Sequence, residues 1–180
     1  FLDGTPVQSS DGSNNFTGYS FATRNGTQAQ TYIPDSLGPQ AEKVVGVEVI
    51  KATPVTRTIT DSDVDRVRVT IQIPQLQNVE SDGDIRGTSV QIQIQVQYNG
   101  GGYTTVEDST IKGKSSSNYQ RDYMITLTGA FPVDIRVKRI TDDSPSARLS
   151  NKTIWQSFTE IIDEKFRYPN SALCFLKFDA

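Results

Sequence analysis

A chain of 180 residues carrying 18 Lys and Arg against 21 Asp and Glu, with net charge −3, has the size of a single domain and no basic stripe that could neutralise phosphates, so nucleic-acid binding is not expected. Mean hydropathy is −0.44, with aliphatic residues spread thinly among Gln, Thr and Ser, as in a sandwich whose core is a thin layer between exposed faces. No run nears the roughly 20 apolar residues of a membrane-spanning helix and no charged start precedes an apolar stretch, so neither membrane contact nor a signal peptide is expected.

The chain begins Phe1-Leu2-Asp3 rather than with Met, which suggests an excised or processed fragment. Residues 1–41 are rich in Gly, Ser, Asn, Thr and Gln, with isolated aromatics at Phe16, Tyr19, Phe21 and Tyr32. Such a segment is expected to be an extended arm lying over a neighbouring surface. It holds too few clustered apolar side chains to offset an ordering cost of about 1–2 kcal/mol per residue. Parts of it are therefore expected to be mobile or held by neighbours.

From residue 42 to 163 the pattern changes to strict alternation. Val45, Val47 and Val49 alternate before Pro54, and Val67, Val69, Ile71 and Ile73 alternate with Arg66, Arg68, Thr70 and Gln72 until Pro74. Val90, Ile92, Ile94 and Val96 alternate with Gln91, Gln93, Gln95 and Gln97, and Val133, Ile135 and Val137 with Asp134, Arg136 and Lys138. Each run is a half-buried strand. Turns fall between them at Asp82-Gly83, Asn99-Gly100-Gly101-Gly102, Ser115–Asn118 and Asp142–Pro145. The segment from Ile154 to Ile162 fits a helix face through 154, 155, 158, 161 and 162. It also fits a strand with Ile154, Phe158 and Ile162 on one side. Its Thr, Ile, Trp and Phe content favours the strand. Residues 164–180 present a turn at Tyr168-Pro169-Asn170 and then an apolar strand, expected to pair with the arm or with another subunit. The fold expected is all-β, an antiparallel β-sandwich with flanking extended segments.

The middle of the chain resembles a fibronectin type III-like domain. The strand ending Gln97-Tyr98, the hairpin to Tyr103, residues Tyr123–Leu127 and residues Val133–Val137 follow strands C, C′, E and F of that fold in order. The whole chain resembles part of the N-terminal half of the tail-tip attachment (host-specificity) protein J family of lambda-like phages. The residues that carry the likeness are Leu2–Pro6, Asp11-Gly12-Ser13 with Phe16 and Gly18, Arg24–Gln28, Tyr32-Ile33-Pro34, Ser146-Ala147-Arg148 and Phe158–Asp163. Arg167–Leu173 and Phe178-Asp179-Ala180 complete the set. Residues 75–130 depart most from it. The resemblance implies a virion structural protein of the tail tip, made in the bacterial host cytoplasm. It also implies a homotrimeric hub and central fibre touching other tail-tip proteins. Residues 1–41 would be a hub-derived flank, 42–163 an inserted sandwich and 164–180 a terminal strand of the neighbouring hub domain.

No catalytic, cofactor or metal site is expected. Histidine is absent from the chain, which removes Ser-His-Asp and Cys-His chemistry and His-ligated zinc. The single cysteine, Cys174, lies in Leu173-Cys174-Phe175-Leu176 and is expected to be buried. Asp61-Ser62-Asp63-Val64-Asp65 opens like a calcium loop, but Arg66 and Gln72 stand where glycine and a bidentate glutamate belong. A solvated turn is expected there. Gly100–Gly102 is read as a hairpin tip, and the carboxylate pairs Asp142/Asp143 and Asp163/Glu164 as solvated turn residues. Three N-glycosylation patterns begin at Asn15, Asn25 and Asn151. The glutamine row at 91–97 suits either plain exposure or a wet protein–protein contact. An alternative function is a carbohydrate- or receptor-binding adhesion module with Tyr98, Tyr103 and Tyr119 stacked on one face.

Overall fold

The computed structural model describes residues 4–33 and 39–178. Parts of the runs Leu2–Pro6, Tyr32–Pro34 and Phe178–Ala180, and of the arm expected to be mobile, lie outside the described residues. In chain order the strands are β1 (Tyr19–Asn25), β2 (Gln40–Glu48), β3 (Val55–Ile59), β4 (Arg66–Ile73), β5 (Gln77–Val79), β6 (Ile85–Arg86), β7 (Thr88–Tyr98), β8 (Thr104–Gly113), β9 (Tyr119–Thr126), β10 (Val133–Arg139), β11 (Leu149–Ser150), β12 (Ile154–Ile161) and β13 (Ala172–Phe178). There is no helix among the described residues. Two compact units result: Pro39–Asp163, and a second formed by the two ends, up to Gly38 and from Glu164.

Within Pro39–Asp163, two four-stranded antiparallel sheets, ordered β3-β10-β7-β8 and β2-β12-β4-β9, face each other across one core. A small third sheet joins β11, β5 and β6. The alternation seen in the sequence sets which side chains enter the core. Val67, Val69, Ile71 and Ile73 from one sheet meet Val90, Ile92, Ile94, Val96, Val133, Ile135 and Val137 from the other, all at most 1% exposed. Each such aliphatic side chain contributes about 1.5–3 kcal/mol by leaving water. A one-residue slip of β7 would turn its whole apolar row outward, so the register is strongly specified.

The ambiguous segment is a strand, β12, inserted between β2 and β4. Its inward row differs from the expected Ile154, Phe158 and Ile162. The register breaks between Trp155 and Ser157 on both sides, and the break reverses the alternation. Trp155 (0% exposed) and Phe158 (4%) therefore both enter the core, while Ile154 is only half-buried. On β2 the same irregularity falls at Gly46, whose φ of 62° lies in the left-handed region. Val47, expected to face inward, is 38% exposed in consequence.

Turn residues behave as their chemistry dictates. Gly101 N donates to Tyr98 O at 2.9 Å, closing a turn whose central residues Asn99 and Gly100 have φ of 45° and 72°. Two positive φ values mark the hairpin turn whose twist matches the flanking strands.

The other unit is built on β1 and β13, which pair antiparallel from Tyr19↔Phe178 to Asn25↔Ala172, as expected for the arm and the terminal strand. Gln30 clasps the neighbouring loops. Its Oε1 accepts from Gly26 N at 2.9 Å, and its Nε2 lies 2.9, 2.6 and 2.9 Å from the carbonyls of Arg167, Tyr168 and Ser171. Here one expectation fails: Cys174 is exposed. Alternation in β13 puts Leu173 and Phe175 on the half-buried face and Cys174 with Leu176 on the other. In a two-stranded ribbon an apolar run does not bury both its faces.

Candidate interaction surface

Because Val90, Ile92, Ile94 and Val96 point inward, Gln91, Gln93, Gln95 and Gln97 line the outer face of the β3-β10-β7-β8 sheet. They are not loose. Gln91 and Gln93 each donate through Nε2 to Asp108 on β8, at 2.7 and 2.8 Å, one to each carboxylate oxygen. These two bonds favour the ionised form and hold the Asp108 carboxyl below its ordinary value, with the Gln91 bond the larger cause. Gln95 donates to Thr105 Oγ1 at 3.1 Å and accepts from Arg136 Nε and Nη2 at 2.9 and 2.6 Å. The Arg136 guanidinium in turn lies 3.4 Å from the centre of the Tyr103 ring. Gln97 Nε2 donates to Gly101 O at the hairpin tip, and Thr58 Oγ1 donates to Asp134 Oδ1 at 2.5 Å on the far side of the face. The outer face is thus a cross-linked polar platform of glutamines and threonines with Asp108, Asp134 and Arg136 among them, whose side chains are already held in place. Such a surface loses little side-chain entropy when a partner covers it.

A second feature is a cleft of about 990 Å³ in the sandwich unit, lined among others by Glu48, Ser116, Ser117, Asp143, Asn151 and Lys152. At its wall Arg139 is 2% exposed. Its guanidinium donates to Thr141 O at 3.0 Å, Asn151 O at 2.8 Å, Thr153 Oγ1 at 2.7 Å and Asn151 Oδ1 at 2.8 Å, with Asp143 Oδ1 3.1 Å from Nε. Burial pulls its pKa down, and Asp143 and Glu48 pull it back. With its donors spent on the protein, Arg139 is a staple between β10 and the approach to β12 rather than a ligand hook. The sequence carried a signal for it: Arg139 continues the inward row Val133, Ile135, Val137 in phase.

The remaining candidates take their places as follows. Asp61 Oδ1 accepts from Asp63 N at 3.0 Å in a turn. Asp142 is paired with Lys51, whose donated bond and charge lower its pKa, Asp143 with Arg139 and Asp163 with Arg66. Asn151 is 5% exposed and bound to Arg139, so the third glycosylation pattern is buried. The three tyrosines do not share a face. Tyr98 packs against the core and accepts from Thr128 N through its hydroxyl at 3.1 Å. Tyr103 stacks under Arg136 on the outer side, and Tyr119 lies on β9 of the opposite sheet. The adhesion reading loses its stacking platform.

The model of the FNIII-A domain of tip attachment protein J matches residues 39–164. Over its whole length the chain is 41% identical to the tip attachment protein J of Escherichia phage SECphi4, of which it covers 16%. It is 36% identical to that of Escherichia phage SECphi27, of which it covers 15%. The chain therefore spans about one-sixth of the length of these relatives. Likeness to solved structures is slight. A crystal structure from Sulfurospirillum deleyianum superposes at a TM-score of 0.38 with 14% identity, over 71% of this chain and 99% of that one, and this bears on no functional point. With its all-β sandwich and a family match across most of its length, the chain belongs to the FNIII-A domain family of phage tip attachment protein J.

Proposed function

We propose that this chain is a structural, non-catalytic module of a phage tail tip, a sandwich inserted into the hub of a larger, trimeric protein that supports tail assembly and host attachment. The observation that carries this reading is the closeness of the sandwich's entry and exit. Ile162 N donates to Pro39 O at 3.1 Å, so the chain leaves the sandwich beside the point where it came in. The flanks on either side, β1 and β13, then pair with each other over seven residues. Such an arrangement suits a domain inserted between two strands of a parent sheet, since close termini allow insertion without disturbing the host structure. Residues 1–41 and 164–180 would then belong to the hub, and 42–163 to the insertion. The platform of Gln91, Gln93, Gln95 and Arg136 offers a ready polar contact for neighbouring tail-tip proteins. The chemistry points the same way: the chain has no histidine, its turn carboxylates Asp142, Asp143 and Asp163 are engaged by Lys51, Arg139 and Arg66, and we identify no assembled nucleophile and base among the described residues.

Antibodies raised against residues 39–163 and imaged on intact virions by electron microscopy test the reading. Label confined to the tail tip is expected. Label on the capsid or tail tube, or on no part of the particle although the full-length protein is present in it, contradicts it.

A further inference from the structure

The two four-stranded sheets of the sandwich have four edges, β2, β9, β3 and β8, and they are not equally protected. An unpaired edge is a template for another strand, and proteins blunt it with bulges, glycine, proline or short length. The β2 edge is broken at Gly46. The β8 strand is irregular opposite Ile94 and Gln95. The β3 strand has only five residues. By contrast β9 pairs with β4 residue for residue from Tyr119 to Thr126 without a break, and it contains neither Gly nor Pro.

The direction of its free groups follows from the ladder. Leu127 N donates to Asp65 O at 2.8 Å, so the odd-numbered positions of this strand bond towards β4. Alternation in an antiparallel pair then turns the backbone N–H and C=O of Gln120, Asp122, Met124 and Thr126 to the outer edge. Thr128 N, next in that row, is the one taken, by the Tyr98 hydroxyl. A groove of about 320 Å³ runs along this edge, lined by Asp122–Thr126 from β9 and by Val106 and Glu107 from β8. Val106 is 45% and Met124 47% exposed, giving apolar walls. Apart from the Tyr123 phenol, the ionisable groups of the lining are two carboxylates, Glu107 and Asp122. Asp122 accepts from Thr70 Oγ1 at 2.7 Å, and the Glu107 carboxylate makes no hydrogen bond or salt bridge among the described residues.

We infer that the free edge of β9 is a strand-addition site for an extended segment of a partner protein in which apolar residues alternate with Lys or Arg. Main-chain bonds to Gln120, Asp122, Met124 and Thr126 would supply affinity, Val106 and Met124 would seat the apolar side chains, and Glu107 and Asp122 would select the basic ones. A second copy of this chain fits less well. It carries net charge −3, and β9 added to β9 would bring two copies of Asp122 into one groove. The inference is independent of the tail-tip reading, since it rests on the edge and its charge alone.

The test uses the 180-residue chain, isotopically labelled, and an eight-residue peptide alternating valine and lysine. Its titration is expected to shift and protect the amides of Gln120, Asp122, Met124 and Thr126, while a valine–glutamate peptide binds at least about tenfold more weakly. The double variant Glu107→Gln/Asp122→Asn, which keeps the backbone edge and the Thr70 contact, is expected to weaken binding about fivefold or more at low salt. Met124→Pro removes an outward N–H without touching the β4 ladder, and is expected to abolish binding. If that variant does not fold, the double variant decides. Equal binding of both peptides, protection at another edge, no binding, or the same amides protected by self-association without peptide would each overturn the inference.

Discussion

Asp108 receives two amide N–H groups on an exposed face, so its lowered pKa reflects local order on the glutamine platform. A depressed carboxyl stabilises the folded form above the ordinary carboxylate pKa, and that contribution is lost as pH falls through the folded value. Melting followed from about pH 5 down to about pH 2 is expected to show a smaller acid-induced loss in Asp108→Asn than in the parent, because the titrating partner is gone. Equal acid profiles would contradict the hydrogen-bond assignment. In the core, Ile94→Ala is expected to cost about 2–5 kcal/mol, and Gln93→Ala on the opposite face of the same strand about 0.5 kcal/mol or less. Denaturant titration of the two variants measures the difference, and comparable losses would mean the β7 register is wrong. Arg139→Met removes the donors to Asn151 O, Asn151 Oδ1 and Thr153 Oγ1 from a buried site, with an expected loss of about 2–4 kcal/mol by the same titration. This residue was missed in the sequence although its parity pointed inward, because a charged side chain at an inward position is ordinarily discounted until its partners, 12 and 14 positions away in the chain, are in view.

At the scale of elements, the strands with unbroken period-2 alternation were legible before any coordinates: β4, β7 and β10 carry their burial in their residue types. What was not legible came from breaks in the period. Around β12 the register shifts between Trp155 and Ser157 against both neighbours, and on the β2 side the break falls by Gly46, more than a hundred residues earlier in the chain, so local pattern holds no record of it. Gly46→Val is therefore expected to lose about 1–3 kcal/mol, since a β-branched residue resists a φ of 62°. A neutral result in thermal melting would show that the bulge relaxes freely. The exposure of Cys174 was hidden for another reason: composition identifies an apolar strand but not how many layers cover it. In the same unit the Gln30 clasp ties the loop after β1 to the turn before β13. Gln30→Ala is expected to lower hydrogen-exchange protection in β1 and β13 by about tenfold or more, while leaving the protection of β4 and β7 unchanged. Protection lost in the sandwich instead would mean the two units unfold as one.

For the whole molecule, the geometry that matters is the return of the chain to its starting point. Within the sandwich Ile162 N donates to Pro39 O at 3.1 Å, and within the other unit β1 and β13 pair with each other. Removing the sandwich is then expected to leave the parent strands able to pair, because no core residue from Val49 to Phe158 is shared with them. The most direct measurement is a main-chain trace of the intact tail tip by electron cryomicroscopy. The account predicts β1 and β13 side by side within a sheet of the parent protein, with the sandwich departing and returning through Pro39 and Asp163. A trace in which β1 and β13 lie in different domains, with the sandwich strung between them as a linear link, would contradict it.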